Sequence, residues 1–285
     1  MRPDEIGHFF HYFEKFEGSF ALIANSKEVK RAVVFVHGFG GDALGTWAQL
    51  QLIIDDETAG SEFASTDLFF FQYRSVWEHI ESSTDRFLKF FECLIPKPDI
   101  SHFSCSNPLL VESSGSESKT ICALPAARHY EDVVLAGHSE GGVVIRQAII
   151  NRLARTSSKL LDCRLSLFAP AISGYAPSGL LGTLTKSPIL GPILEAFLWA
   201  SPAYQDLKKN EPGKDDFLTE LRKKTQAAAQ RSPRNALRAN ILWGRSDRIV
   251  TPKKYDFDQQ EFVEQGHVGV CKPNRYYLKP LDWIK

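Results

Sequence analysis

One stretch of the chain has the residue types and spacing that nucleophilic catalysis needs. Residues 137–142 read Gly-His-Ser-Glu-Gly-Gly, between an apolar run at residues 133–136 and a helical pattern that starts near Val143. A serine among glycines, between a strand and a helix, is typical of a nucleophile elbow, because the turn is tight and the two elements approach closely. The start of the helix would also favour an oxyanion near Ser139. The alternative is a glycine-rich turn whose serine has no chemical role.

A second glycine-rich stretch follows the β-branched run at residues 32–36. Residues 37–41 read His-Gly-Phe-Gly-Gly. Such a loop can donate a backbone N–H to the oxygen that becomes negative, together with the N–H of the residue after the nucleophile. Phe39 and Glu140 are therefore the candidate oxyanion donors. A phosphate-binding loop is the weaker interpretation, because the run lacks the Lys-Ser/Thr ending and the G-x-G-x-x-G spacing.

A serine hydroxyl becomes nucleophilic beside a base, and that base needs a carboxylate to fix its tautomer. Of the eight histidines, His267 alone follows Ser139 in the sequence. Asp247 lies in a turn after a late apolar run, so the chain order is Ser, Asp, His, one of the orders known for such triads. We expect His267 to be the base and Asp247 the acid. Asp256 and Asp258 are competing acids, close before a short last strand.

Three further polar residues flank these motifs. His37 and His138 lie beside the expected oxyanion donors and are interpreted as structural residues. The side chain of Glu140 has three interpretations: it is solvated, it pairs with Arg146 across the start of the helix, or it is a second carboxylate near the base. An interpretation without a chemical role is favoured.

Apolar runs alternate with longer amphipathic segments, which predicts parallel strands joined by crossover helices. Strands are expected at residues 32–36, 68–73, 133–136, 165–168, 240–243 and 261–263, and helices within 76–94, 143–154 and 217–229. Residues 93–128 predict a surface insertion, and residues 170–215, apolar but broken by Pro and Gly, predict a cap or lid. The chain, residues 1–285, is then one α/β domain with a mostly parallel central sheet flanked by helices.

The composition argues against several functional classes. Lys plus Arg and Asp plus Glu both number 34, so no overall charge attracts nucleic acid. The five cysteines contain no Cys-x-x-Cys pair, which predicts no metal, no cofactor and reduced thiols in a cytoplasmic protein. The first residues do not resemble a signal peptide. The apolar stretch at residues 169–204 is broken by prolines and is not expected to span a membrane.

Together these motifs resemble the α/β-hydrolase superfamily, and within it the serine esterases and lipases related to GPI inositol-deacylase. The resemblance covers nearly the whole chain. Residues 34–41, with Thr46 and Trp47, match the family's first strand and oxyanion loop. Residues 68–75 match its Phe-x-Tyr-x-Ser strand end, and residues 137–147 match its Gly-His-Ser-x-Gly-Gly-Val-Val helix. Residues 266–273 are similar to the family's His-x-x-Ile-Cys-Lys-Pro ending, which implies that His267 is the base. Glu140, in place of the usual Leu, Met or Gln, and the length of residues 93–128 depart from the family pattern.

We therefore expect acyl transfer from a carboxylic ester to water through a covalent intermediate on Ser139. The apolar cap would accept an acyl chain, so the expected partner is a small-molecule or lipid ester. The cap is also a candidate surface for peripheral membrane contact. The same residues would serve a thioesterase or an amidase, since the triad does not select the leaving group. A non-catalytic binding or effector module of this fold is the alternative from another class, and the sequence favours no oligomeric state.

Overall fold

The computed structural model describes residues 8–13, 15–24, 26, 28–54, 63–95, 103–104, 128–154, 158–174, 198–208 and 216–285. Its strands are β1 (His8–Phe13), β2 (Phe20–Ala24), β3 (Arg31–Val36), β4 (Thr66–Phe71), β5 (Phe103–Ser104), β6 (Asp132–His138), β7 (Arg164–Phe168), β8 (Ala239–Gly244) and β9 (Gln259–Val263). Its helices are α1 (Ala43–Ile54), α2 (Ile80–Leu94), α3 (Glu140–Arg152), α4 (Pro202–Leu207), α5 (Phe217–Arg231) and α6 (Lys279–Ile284).

The strands form one sheet in the order β5-β1-β2-β4-β3-β6-β7-β8-β9. From β4 to β9 in this order, every neighbouring pair of strands is parallel. At the other side of the sheet, β1 pairs antiparallel with β5 and β2, and β2 pairs antiparallel with β4. The architecture confirms the predicted fold class, a mostly parallel sheet whose strands are joined by helices.

The central strands are apolar along their length because a parallel sheet is covered by helices on both faces. Every side chain of β4 is buried, and β3 and β6 are buried except at their first residues, Arg31 and Asp132. The edge strand β9 is exposed or half-buried throughout. The core is therefore centred on β3, β4 and β6, and the loops after these strands stand on its best-buried part.

All strands and helices expected from the sequence are present, with bounds shifted by a few residues. Two shifts matter for the site: α2 begins only at Ile80, and α3 begins at Glu140, directly after Ser139. The sequence analysis missed β1, β2, β5, α1, α4 and α6, of which β5 and α4 lie within the predicted insertions. Strand β1 is neither a continuous apolar run nor an alternation of apolar and polar residues, whereas β2 is a short apolar run that was not recognised.

The two predicted insertions are described only in part. Residues 93–95, 103–104 and 128 belong to the predicted surface insertion, and residues 170–174 and 198–208 to the predicted cap. The rest of both predictions lies outside the described residues. Within the described part of the chain, no helix is long and apolar enough to cross a membrane.

A buried ion pair joins α3 to the segment that precedes β9. Nη2 of Arg146 lies 2.6 Å from Oδ2 of Asp258, and both side chains are almost fully buried. The Asp258 carboxylate also accepts hydrogen bonds from the N–H groups of Ala239 (2.9 Å) and Tyr255 (3.0 Å), and the Tyr255 ring lies 4.3 Å from the guanidinium carbon. Asp258 is therefore fully engaged in holding β8 and α3 together.

We predict that Asp258→Asn lowers the free energy of unfolding by about 3–5 kcal/mol, because it leaves the buried Arg146 guanidinium without a counter-charge. Glu92→Gln is the matched control, since Glu92 pairs with Arg152 at the surface. The control should cost less than about 1 kcal/mol. Urea unfolding of both variants measures the difference. Equal losses in the free energy of unfolding would show that the buried ion pair stabilises the protein no more than the surface pair does.

Candidate active site

Ser139 lies in the sharp turn between β6 and α3. Its backbone has φ 53° and ψ −120°, in the left-handed half of the map, where a residue with a side chain is strained by about 1–3 kcal/mol. Two hydrogen bonds to the end of β7 and the segment after it hold this turn: the Ser139 N–H donates to the carbonyl of Phe168 (3.0 Å), and the Ser139 carbonyl accepts from the N–H of Ala171 (3.0 Å). The strain is therefore supported from outside the turn and keeps the hydroxyl at the tip.

Glycine lets the start of α3 contact the end of β3. A Cβ at Gly141 would lie 2.3 Å from the carbonyl oxygen of Val36 and 2.4 Å from that of His37. A Cβ at Gly38 would lie 2.7 Å from the Cβ of Ser139. No side chain fits at either position, so the loop after β3 lies directly beside the serine.

Ser139, His267 and Asp247 form a hydrogen-bonded series. Nε2 of His267 lies 3.0 Å from Oγ of Ser139, and Nδ1 of His267 lies 2.8 Å from Oδ2 of Asp247. Because a carboxylate faces Nδ1, we assign the hydrogen to Nδ1, which leaves Nε2 to accept from the serine hydroxyl. The structure thus brings together the three side chains that the sequence analysis selected from distant parts of the chain.

Asp247 is held by its own turn. Its Oδ1 accepts hydrogen bonds from the N–H groups of Ile249 (2.8 Å) and Val250 (3.1 Å), while Oδ2 faces His267. Burial raises the pKa of Asp247, but the hydrogen bonds from His267 and the two N–H groups outweigh burial and hold the pKa below its ordinary value. The carboxyl is therefore ionised at neutral pH and can stabilise a positive charge on the imidazole.

The two histidines beside the oxyanion motifs have structural contacts. His37 donates from Nδ1 to the Gly38 carbonyl (2.9 Å) and stacks on the ring of Tyr73, with ring centres 4.4 Å apart. His138 donates from Nε2 to the backbone carbonyl of His267 (2.9 Å), which fixes the loop that carries the base. Burial lowers the pKa of His37 to about 4 and that of His138 to about 3, so both imidazoles are neutral. These contacts agree with the structural roles expected for both residues.

The sequence analysis did not recognise the residues that fix the oxyanion loop, which lie in the loop after β4. The Tyr73 hydroxyl donates to the carbonyl of His37 (2.8 Å), and the Ser75 hydroxyl accepts from the N–H of Gly40 (3.0 Å). The signal was present in the Phe-x-Tyr-x-Ser strand end, which the family resemblance covered without assigning it a function. These two side chains attach the loop at residues 37–41 to the best-buried strand of the sheet.

Phe39 and Glu140 occupy the expected positions for oxyanion donors. Phe39 lies in the glycine loop and lines the cavity at Ser139, and Glu140 is the first residue of α3, where an N–H has no acceptor within the helix. The side chain of Glu140 differs from expectation. It is fully buried rather than solvated, and Arg146 pairs with Asp258 instead, so both interpretations without a chemical role are wrong.

A cavity of about 420 Å³ opens at Ser139 and His267. Its walls come from the oxyanion loop, the start of α1 and the loop that carries His267. Apolar side chains on the wall include Phe39, Ile249 and Val268, and Lys272 also lines it. The volume is sufficient for a small organic molecule whose reacting carbon meets the serine hydroxyl.

No protein-family model and no curated protein sequence matches this chain. Among solved structures, the chain is similar to 2-hydroxy-6-oxo-6-phenylhexa-2,4-dienoate hydrolase from Rhodococcus sp. strain RHA1, with a TM-score of 0.50 and 15% identity over 97% of this chain and 97% of that one. A carboxylesterase from Bacillus subtilis has a TM-score of 0.49 and 14% identity, covering 99% of this chain and 92% of its own. A lipase from Bacillus licheniformis has a TM-score of 0.48 and 13% identity, covering 92% and 97%. Identities this low bear on the fold alone, and the chain has the α/β-hydrolase fold.

We predict that Gly141→Ala separates α3 from the end of β3 and costs about 1–3 kcal/mol of stability, because the new methyl group overlaps two backbone carbonyls. Gly266→Ala is the control, since a Cβ there would meet its nearest neighbour, the Ser246 carbonyl oxygen, only at 4.0 Å. Thermal unfolding compares the two variants. An unaltered Gly141→Ala protein would contradict the close contact.

Proposed function

We propose that this protein is a serine hydrolase that cleaves carboxylic esters. Ser139 is the nucleophile, His267 the general base and Asp247 the acid that orients the base. The observation that carries the proposal is the continuous series Ser139 Oγ, His267 and Asp247, with separations of 3.0 and 2.8 Å. Support also comes from the strained turn at Ser139, because strained backbone of this kind is concentrated at functional sites.

In the proposed reaction, Nε2 of His267 takes the hydroxyl proton as Oγ of Ser139 attacks the ester carbonyl carbon. The carbonyl oxygen becomes negative and accepts hydrogen bonds from the N–H groups of Phe39 and Glu140. His267 then passes the proton to the departing alcohol oxygen, and the C–O bond of the ester breaks to leave the acyl-enzyme. A water molecule, deprotonated by the same imidazole, releases the acid and restores Ser139.

The oxyanion donors depend on the rigidity of two backbone segments. The loss of one such donor costs about 2.7–4 kcal/mol of transition-state stabilisation. The Phe39 segment is attached through Tyr73 and Ser75, and the Glu140 segment is fixed by the contact of Gly141 with β3. Both donors are therefore positioned before the substrate arrives, which is the condition under which they accelerate the reaction.

The closer relation to esterases related to GPI inositol-deacylase is part of this proposal and rests on the motifs in the sequence. The cavity beside Ser139 has an apolar side at Phe39, Ile249 and Val268, which suits a hydrocarbon acyl or alcohol group. A series of p-nitrophenyl esters from acetate to long-chain acyl groups tests the range. Activity confined to acetate would exclude a lipid substrate, and assays with acyl-CoA and peptide amides separate ester from thioester and amide cleavage.

The reaction class is tested with a fluorophosphonate probe and mass spectrometry. We predict a covalent adduct on Ser139 in the folded wild-type protein, and no adduct in Ser139→Ala. Ser82→Ala is the control, since Ser82 is exposed on α2, and it should label like wild type. Folded protein without an adduct on Ser139 would contradict the hydrolase proposal and favour a non-catalytic binding module.

The role of Asp247 as the acid of the triad is tested by removing the charge of its side chain while keeping the shape. We predict that Asp247→Asn lowers kcat for ester hydrolysis by about 10⁴-fold, the order known for carboxylate-to-amide changes in such triads. Asp256→Asn is the matched control, because the sequence also offered Asp256 as the acid and the structure places it at the surface. Steady-state kinetics decides the assignment, and a large loss in the control alone would move the acid to Asp256.

A further inference from the structure

Glu140 has an unusual environment for a carboxyl group. It is fully buried at the first position of α3, one residue after Ser139. Neither carboxyl oxygen has a hydrogen-bond partner among the described residues. An ionised carboxylate is very costly in such a place, and proteins bury carboxylates almost only with a counter-charge or several donors.

Among the described residues, the groups that act on Glu140 offer no such compensation. They are Tyr73, in the loop after β4, and the negatively charged Asp206 in α4. The Asp206 carboxylate lies 3.2 Å from Nδ1 of His79 and accepts a hydrogen bond from the N–H of Ile80 at 2.8 Å.

The remaining charges near this cluster are already paired. Glu78, whose charge also acts on Tyr73, is bound by Arg86 at 2.9 Å. Arg146, the cation on the same helix, is held by Asp258. The positive end of α3 favours an anion at Glu140, but this effect is much smaller than the cost of burying an unpaired carboxylate. Burial and the charge of Asp206 raise the pKa of Glu140 well above its usual value, against a smaller lowering by Tyr73.

The hydrogens at Tyr73 support the same protonation state. The phenol has one hydrogen, and it is donated to the carbonyl of His37 at 2.8 Å. The phenol oxygen can still accept a hydrogen, but an ionised carboxylate has none to give. Glu140 can therefore join this pair as a donor only when it carries a proton.

We propose that Glu140 is a positioning residue that works as a neutral carboxylic acid next to the Tyr73 hydroxyl, which holds the His37 carbonyl and the oxyanion loop. The inference rests on the proposed ester hydrolysis. Loss of the proton would place a negative charge next to that hydroxyl, on the residue whose N–H donates to the oxyanion. The active form is the protonated one, so activity falls as the pH rises through the pKa of Glu140.

The proton is detected by infrared difference spectroscopy between the wild-type protein and Glu140→Gln at neutral pH. We expect the carbonyl stretch of a protonated carboxylic acid in the wild type and its loss in the variant. Glu81→Gln is the control, since Glu81 is exposed on α2 and this variant should keep the wild-type band. If the band is missing, Glu140 is ionised and the proposal is wrong, whether or not the protein hydrolyses esters.

The role in the reaction is read from pH profiles of kcat and KM with a p-nitrophenyl ester. Glu140→Gln keeps the shape of the side chain and cannot ionise, so it is the variant whose pH profile is compared with that of the wild type. In the wild type, kcat should fall about tenfold per pH unit above the pKa of Glu140 while KM stays constant, and Glu140→Gln should keep its alkaline plateau.

The outcomes separate the two proposals. Coinciding alkaline profiles in an active enzyme would overturn the role of Glu140 and leave the esterase proposal intact. An inactive wild type that shows the acid band would refute ester hydrolysis, but not the proton on Glu140. A wild-type kcat that rises through the alkaline range, with a flat profile in Glu140→Gln, would show that the negative charge is required, which contradicts the inference.

Discussion

The close approach of α3 to the carboxyl end of β3 is the constraint on which the rest of the site depends. Gly141 lies against the carbonyls of Val36 and His37, at a distance that no side chain tolerates. This contact places the first N–H of the helix and the loop after β3 on the same side of Ser139. If the two elements moved apart by the width of a methyl group, the hydroxyl would remain at the tip of its turn, but the two candidate oxyanion donors would no longer converge on one point.

Around this contact two buried histidines are neutral and one buried carboxylate keeps its charge. Burial keeps the imidazoles of His37 and His138 uncharged, whereas Asp247 is surrounded by enough donors to stay ionised. The negative charge of Asp247 behind His267 can therefore stabilise an imidazolium. A neutral Glu140 fits the same arrangement, because an anion beside the oxyanion donor would oppose the charge that develops in the reaction.

The sequence predicted the parts of this structure that are encoded locally. Central parallel strands are continuous apolar runs, and a serine among glycines marks its own turn, so β3, β6 and the elbow could be identified from a few neighbouring residues. His267 could be selected because no other histidine follows Ser139. The burial of Glu140 could not be predicted, since it depends on tertiary packing rather than on neighbouring residues, and the partner of Arg146 stands 112 residues away in the chain. Strand β1 was missed because its residues, His-Phe-Phe-His-Tyr-Phe, form neither a continuous apolar run nor a regular alternation, whereas β2 is an apolar run that was not recognised.

The strain at Ser139 explains why these long-range contacts are needed. A backbone with φ 53° would relax if the turn were isolated, and a relaxed turn would withdraw the hydroxyl from His267. The hydrogen bonds to Phe168 and Ala171 come from the neighbouring strand, and the bond from His138 to the His267 carbonyl ties the base loop to β6. The strained turn and the base loop are thus held by the same strands, so a change that loosens β6 or β7 should alter the position of the serine and the imidazole together. The geometry of the site is a property of the parallel sheet as a whole, rather than of the three residues that would perform the reaction.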